Sequence, residues 1–197
     1  MTDWQQWQET DIPGLARTPV RPNLRARRLR EVVASAYHEA GHAAAFESLG
    51  YGISSIWVTG EVARVGETAA RCQAEAFDLL ERPMDARGHA LVTMAGPAAA
   101  RRLGIPGRRP FDEVEGDTME GILVASEAGL DVPAMLAEAD AFVTDRWGRV
   151  EAIAVALLRS PNLALYPIRD SIIDTPKQAA ERARATAWFA AHPRPQP

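Results

Sequence analysis

The chain is poor in cysteine and in lysine. Cys72 is the only cysteine among 197 residues, so no internal disulfide can form, and a reducing compartment fits this usage. Lys177 is the only lysine and it follows Pro176, whereas a phosphate-binding P-loop needs its lysine between glycine and serine or threonine. We therefore expect no ATPase of the P-loop type in this chain.

Long apolar runs and excess positive charge are also absent. No run approaches the ~20 apolar residues of a membrane helix, and residues 1–7 lack the cationic and apolar regions of a signal peptide. We therefore expect a cytoplasmic protein without membrane insertion. The net charge of −4 argues against nucleic acid as a partner, because phosphate backbones favour a basic protein face. Hydrophobic residues make up 47% of the chain, which indicates a globular core.

Proline and hydrophobic periodicity predict three parts. Residues 1–22 are polar and rich in proline, which predicts a flexible N-terminal arm whose Trp4 and Trp7 pack on the body or on a partner. Residues 23–191 are predicted to form one domain, and residues 192–197 a disordered tail. Periodicity and breakers make the domain mainly α (α+β), with a small β-hairpin or sheet after the first long helix. The predicted helices span 24–49, 84–103, 117–128 and 131 to about 160, with short helices after Tyr166 and Pro176, and the predicted strands span 53–59 and about 62–71.

The first helix contains the sequence His38-Glu39-Ala40-Gly41-His42. Helical residues four apart share a face, so both imidazoles can converge on one metal ion, and zinc accepts nitrogen ligands at ~2.0–2.1 Å. Glu39 is then beside the metal, where a carboxylate serves as general base towards the attacking water. Gly41 disfavours a helix by ~1 kcal/mol relative to alanine, so we expect another backbone to approach it closely.

The residues around this motif resemble the FtsH-type zinc metalloproteases. The resemblance covers roughly residues 30–175, and only the first of its segments is highly specific. It implies a helical zincin-like metalloprotease domain that hydrolyses peptide bonds with Zn²⁺. Tyr37–Ala43 matches the family's active-site helix, and the strand pair 53–59 and 62–68 matches the segment that follows it. Thr93–Arg101 matches its Ala-Gly-Arg-Ala-Ala-Glu-Glu helix. Gly116-Asp117 matches the start of the helix that bears its carboxylate ligand, and residues 152–173 are weakly similar to its later helices.

The residues alone leave the identity of the third zinc ligand open. Catalytic zinc needs three protein ligands and an open position. Five carboxylates crowd one segment, any of which could reach a metal, and Asp117 is also a candidate helix N-cap. The resemblance selects Asp117. The five are Asp112, Glu113, Glu115, Asp117 and Glu120.

Two departures from the family keep alternatives open. Ala99 and Ala100 replace the family's glutamates, so a contact to a ligand histidine is lost or comes from elsewhere. The family's ATPase module and membrane anchors are also missing, so the substrate would be a peptide or unfolded protein, with a separate ATPase or adaptor protein as a possible partner. The alternatives are a non-catalytic zinc-binding adaptor and a zincin with a different third ligand; the oligomeric state stays open.

Other candidates have ordinary explanations. His89 could be a distal ligand or an oxyanion donor, but a surface histidine is more common. Cys72 could cap zinc, since thiolates bind it well, but an inert thiol is the simpler interpretation. A basic cluster is expected to be a solvated surface, and two tryptophans are expected in the core or in a pocket wall. These are Arg101, Arg102, Arg108 and Arg109, and Trp57 and Trp147.

Overall fold

The computed structural model shows a mainly helical chain with a small antiparallel sheet. It describes residues 7–8, 11–12, 22–58, 70–74, 79, 82–104, 114–159 and 162–164. The helices are α1 (Pro22–Ser48), α2 (Ala86–Leu103), α3 (Val114–Glu127), α4 (Val132–Asp145) and α5 (Trp147–Arg159), and the strands are β1 (Ile53–Val58), β2 (Ala70–Ala74) and β3 (Asn162–Ala164). The predicted mainly α class with a sheet after the first helix is confirmed at this level.

Helix α1 is the long central element of the fold. It ends where Gly50 adopts a left-handed φ of 79°, and the Tyr51 amide donates to the Phe46 carbonyl at 2.9 Å to close the last turn. Val33, Tyr37 and Ala44 are buried at helical spacing, so α1 presents an apolar face to the core. The predicted helix 24–49 is therefore confirmed within two residues.

The sheet has the order β2-β1-β3, and both neighbours of β1 run antiparallel to it. Ile56 pairs with Cys72 on one side and with Leu163 on the other. Strand β1 matches the predicted strand 53–59. Strand β2 overlaps the end of the predicted strand 62–71, whose residues 62–69 lie outside the described residues. Strand β3 was not predicted, because three residues carry too little alternation to stand out.

Helices α1 and α2 approach each other closely at Gly41. A Cβ added to Gly41 would lie 2.5 Å from the carbonyl oxygen of Ala95 and 2.9 Å from the Cβ of Ala99. Glycine is therefore required where the two backbones approach each other. The close approach expected at Gly41 is confirmed, and its partner is α2.

Two predicted helix boundaries were wrong. Helix α3 begins at Val114, not at Asp117, so Asp117 is in the second half of the first turn and is not the N-cap. The predicted single helix from 131 to about 160 is divided at Arg146, where φ is −99° and ψ is 12°. The division lets α4 pack on α2 while α5 packs on α1, which one straight helix could not do. The predicted N-cap Asp131 is confirmed, since its side chain accepts from the Ala134 amide at 3.2 Å.

Part of the N-terminal segment contacts the body of the protein. Trp7 is 8% exposed and Ile12 is 1% exposed, and both belong to the hydrophobic core. Trp7 therefore packs on the body, one of the two expected positions. The division into arm, domain and tail stays a prediction, and the short helices predicted after Tyr166 and Pro176 lie outside the described residues.

None of the described helices is both long enough and apolar enough to cross a membrane.

Candidate metal centre

Helices α1 and α3 bring three predicted ligands together. Nε2 of His38 lies 2.7 Å from Oδ2 of Asp117, and Nε2 of His42 lies 3.1 Å from the same oxygen. The two Nε2 atoms are 3.0 Å apart. His38 and His42 are one turn apart on α1, so their rings share a face. Asp117 comes from α3. The sequence motif therefore becomes a convergent set of three donor atoms.

The three side chains differ in exposure. His38 and His42 keep 6% and 12% of their side-chain surface exposed, whereas Asp117 keeps 34%. The imidazoles are thus held inside the protein, and solvent reaches the cluster on the side of the carboxylate. The cluster is therefore accessible from one side and enclosed on the side of the imidazoles.

The hydrogen bond of His42 to α2 fixes the tautomer of its ring. Nδ1 lies 2.8 Å from the carbonyl oxygen of Val92, and because a carbonyl only accepts, Nδ1 must donate. In the neutral ring, Nε2 therefore carries the lone pair. That lone pair faces a carboxylate oxygen of Asp117, an arrangement that is repulsive unless a proton or a cation lies between them. The donor set is thus chemically suited to a metal ion.

The pKa values of the metal-free cluster report the same demand for positive charge. Burial acts to lower the pKa of His42, but the hydrogen bond to Asp117 and the charges of Glu39 and Asp117 outweigh it, and the pKa is raised. Burial acts to raise the pKa of Asp117, but its hydrogen bonds to His38 and His42 outweigh it, and the pKa is lowered well below the usual range. The cluster therefore favours a positive charge, which a proton or a metal cation can supply.

His38, His42 and Asp117 could hold a metal ion. Their donor atoms all lie within 4.8 Å of one another, and they form the group with this property among the described residues. Cys72, His89 and Glu120 are not members of it, so the thiol cap and the distal histidine ligand considered from the sequence are not found in the described part of the chain. The other acidic candidates, Asp112, Glu113 and the side chain of Glu115, lie outside the described part.

Glu39 is next to the cluster but does not belong to it. The residue is 6% exposed, which is unusual for a carboxylate and in a catalytic protein is typical of a reacting group. Its charge acts on Cys72 of β2: burial raises the pKa of the Cys72 thiol, and the charges of Glu39 and Glu47 raise it further. The charge of Glu39 also acts on His42, whose pKa it helps to raise.

The remaining candidates from the sequence take part in ion pairs and ring contacts outside the cluster. His89 of α2 pairs with Glu120 of α3 at 3.1 Å on the surface. Arg101 bonds to Asp140 at 2.9 Å, and Arg102 lies over the Trp147 ring at 5.0 Å. Trp147 also stacks on Tyr37 of α1, with ring centroids 5.5 Å apart. Trp57 is half-buried on β1, and Arg108, Arg109 and His192 lie outside the described residues.

Two features of the site were not predicted. The Val92 carbonyl orients His42, and the ring of His42 lies directly on Gly96. A backbone acceptor leaves no mark in the side-chain pattern. A signal for Gly96 did exist, because a Gly-Pro pair inside an otherwise regular helix is unfavourable and calls for a packing reason. For His42, the Val92 carbonyl supplies a contact of the kind that the side chains of Ala99 and Ala100 cannot provide.

No protein-family model, no curated protein and no solved structure matches this chain.

Proposed function

We propose that the chain is a zinc-dependent endopeptidase. The observation that carries the proposal is the convergence of His38, His42 and Asp117 beside a buried Glu39. Two imidazoles and one carboxylate are a ligand set of catalytic zinc, which keeps its fourth position open for water or substrate. A closed structural site would need four protein ligands, and three converge here among the described residues. The resemblance of residues 37–43 to the FtsH-type active-site helix supports the same reading.

The proposed mechanism gives each residue one role. His38, His42 and Asp117 would hold the metal, which when bound supplies a Lewis acid that makes water nucleophilic near neutral pH. Val92 fixes the His42 ring with Nε2 turned towards the cluster. Glu39 accepts the proton of the attacking water and delivers it to the nitrogen of the leaving amine as the peptide C–N bond breaks. Its burial excludes bulk water from this carboxylate and strengthens its interaction with the proton.

The substrate we propose is a peptide or an already unfolded protein segment. The chain has no P-loop lysine, so unfolding driven by ATP would depend on a separate ATPase or adaptor protein. Solvent access on the side of Asp117, which is 34% exposed, offers one approach for an extended chain.

The test compares Glu39→Gln with the wild type and with Glu120→Gln. Zinc content is measured by plasma mass spectrometry, and cleavage is followed on an unstructured protein such as casein. We expect Glu39→Gln to keep its zinc while cleavage falls by about 1,000-fold or more, since the general base is lost. Glu120→Gln, on the surface of α3, should cleave like the wild type. Full cleavage by Glu39→Gln would contradict the proposal, and a zinc-loaded wild type that cleaves nothing would favour the adaptor.

A further inference from the structure

The ring of His42 rests on the backbone of α2 at one residue. A Cβ added to Gly96 would lie 2.3 Å from Nε2 of His42, 2.6 Å from Cε1 and 2.7 Å from Cδ2. Non-bonded carbon atoms reach their optimal separation only at ~3.5–4.0 Å. A side chain at position 96 and the present position of the imidazole therefore exclude each other.

Contacts at both ring nitrogens hold the imidazole of His42 in place. Its Nδ1 is fixed by the Val92 carbonyl at 2.8 Å, and its Nε2 faces His38 at 3.0 Å and Asp117 at 3.1 Å. Val92 and Gly96 are one helical turn apart, so they form one continuous seat on α2. The added Cβ would come closest to Nε2, the atom that faces the metal position. A substitution at Gly96 would thus displace the donor atom itself.

The other glycines compared with Gly96 lie in different surroundings. A Cβ on Gly41 would meet the Ala95 backbone at 2.5 Å, so it would separate α1 from α2. A Cβ on Gly121 of α3 would meet Cγ of Met94 at 2.7 Å, and Met94 is a fully buried side chain of α2. Gly116, one residue before Asp117, has nothing within 4 Å of such a Cβ. Gly96 alone among these four would strike a predicted metal ligand.

We propose that Gly96 is a positioning residue for the metal centre: its missing side chain forms the seat that holds His42 Nε2 towards the metal. This inference rests on the proposed metal-dependent function for its purpose. The seat itself is a property of the metal-free chain, so it can be tested without metal and without peptidase activity.

The first test is a double-mutant cycle in metal-free protein, in which urea unfolding is measured for Gly96→Ala, His42→Ala and the double variant. If the added methyl collides with the ring, Gly96→Ala should shift the unfolding equilibrium towards the unfolded state by about tenfold or more when His42 is present. When His42 is alanine, the same change should not favour unfolding, because alanine favours a helix over glycine by ~1 kcal/mol. Equal shifts in both backgrounds would overturn the inference. Should Gly96→Ala fail to fold, recovery of folding in the double variant would support the seat, and continued failure would overturn it.

The second test measures the metal directly. Zinc affinity is determined by chelator competition, and the visible absorption of the Co²⁺-substituted protein reports the ligand geometry. Gly96→Ala should bind zinc about tenfold or more weakly and should change the cobalt spectrum. Removing a group that only contacts a metal ligand already weakens metal binding about 10–100-fold, and displacing the ligand itself should cost at least as much. Gly116→Ala is the matched control, because a Cβ there has nothing within 4 Å, and it should keep both the affinity and the spectrum. A folded Gly96→Ala with wild-type affinity and spectrum would overturn the inference.

Discussion

Helix α3 contributes carboxylates to two histidine pairings that use the same chemistry in different surroundings. Asp117 lies 2.7 Å from His38 and 3.1 Å from His42, whose side chains are 6% and 12% exposed. Glu120, one turn later, lies 3.1 Å from His89, and these two side chains are 56% and 47% exposed. Distance alone therefore does not separate the two places.

Burial and convergence separate them. The surface pair has water on both partners, and exposed ion pairs contribute about 0–1 kcal/mol. In the inner cluster of His38, His42 and Asp117, three donor atoms converge on one position that is largely shielded from solvent. A positive charge at that position is therefore strongly favoured. The difference teaches that a metal centre is recognised by several donors directed at a common position, which one histidine and one carboxylate on a surface cannot provide.

The largest expected effect comes from exchanging the carboxylate in each place. Asp117→Asn should weaken zinc binding by about 1,000-fold, because an anionic ligand is replaced by a neutral amide; removal of neighbours that do not touch the metal already costs 10–100-fold. Glu120→Gln should leave the affinity within about twofold. Chelator competition measures both values. Equal affinities in the two variants would erase the distinction between the two pairings.

The contrast between buried and exposed pairs extends to the arginines. Glu47 of α1 and Arg149 of α5 bond at 2.7 and 2.9 Å, with side chains 8% and 13% exposed. Glu47→Ala should lower the free energy of unfolding by about 3 kcal/mol, because the guanidinium stays buried without this carboxylate. Asp140→Ala, which removes the exposed partner of Arg101, should cost less than about 1 kcal/mol. Urea denaturation gives both, and a similar cost for the two would show that burial does not set the scale.

Acid should weaken zinc binding at the inner site. The pKa of His42 is raised above its ordinary value of 6.5 in the metal-free cluster, so this ring keeps its proton to higher pH, and metal binding must release it. Zinc affinity should therefore fall as the pH drops through that raised pKa, by up to about tenfold per pH unit for each proton released. His89→Ala should leave the slope unchanged. Affinity measured from pH 8 to pH 6 checks this, and a flat profile would contradict it.

The smallest effect concerns the thiol of Cys72, on whose pKa the charge of Glu39 acts. Burial, and then the charges of Glu39 and Glu47, raise the pKa of Cys72, and thiolate is the reactive form. At pH 8, iodoacetamide should modify Cys72 in the folded protein at least about tenfold more slowly than in urea. Glu39→Gln removes one of the two charges and should speed the folded reaction. Mass spectrometry follows the modification, and equal rates in folded and unfolded protein would speak against the environment described for Glu39 and Cys72.

The sequence carried most of the information for α1 and less for the elements around it. The bounds of α1 and β1 follow from periodicity and glycine, and the close approach at Gly41 follows from the cost of glycine in a helix. The start of α3 was misplaced because Asp117 is a good N-cap by residue type, yet the helix begins at Val114. The division at Arg146 could not be predicted, because it depends on α4 and α5 packing against different helices.

The convergence of the three candidate residues was predictable, and the residues that position them were not. His38 and His42 follow from helical spacing alone, and Asp117 entered through the resemblance. The Val92 carbonyl and the seat at Gly96 depend on which turn of α2 crosses α1, and that register is set by packing between helices far apart in the sequence. A ligand pattern is local, whereas its positioning is not.

The most direct test of the central claim is the metal content of the chain after dialysis against zinc. The account predicts about one zinc per chain for the wild type and less than about one tenth for the variant His38→Ala/His42→Ala, with helical circular dichroism retained in both. A wild type without zinc, or a double variant that binds as much zinc as the wild type, would contradict it.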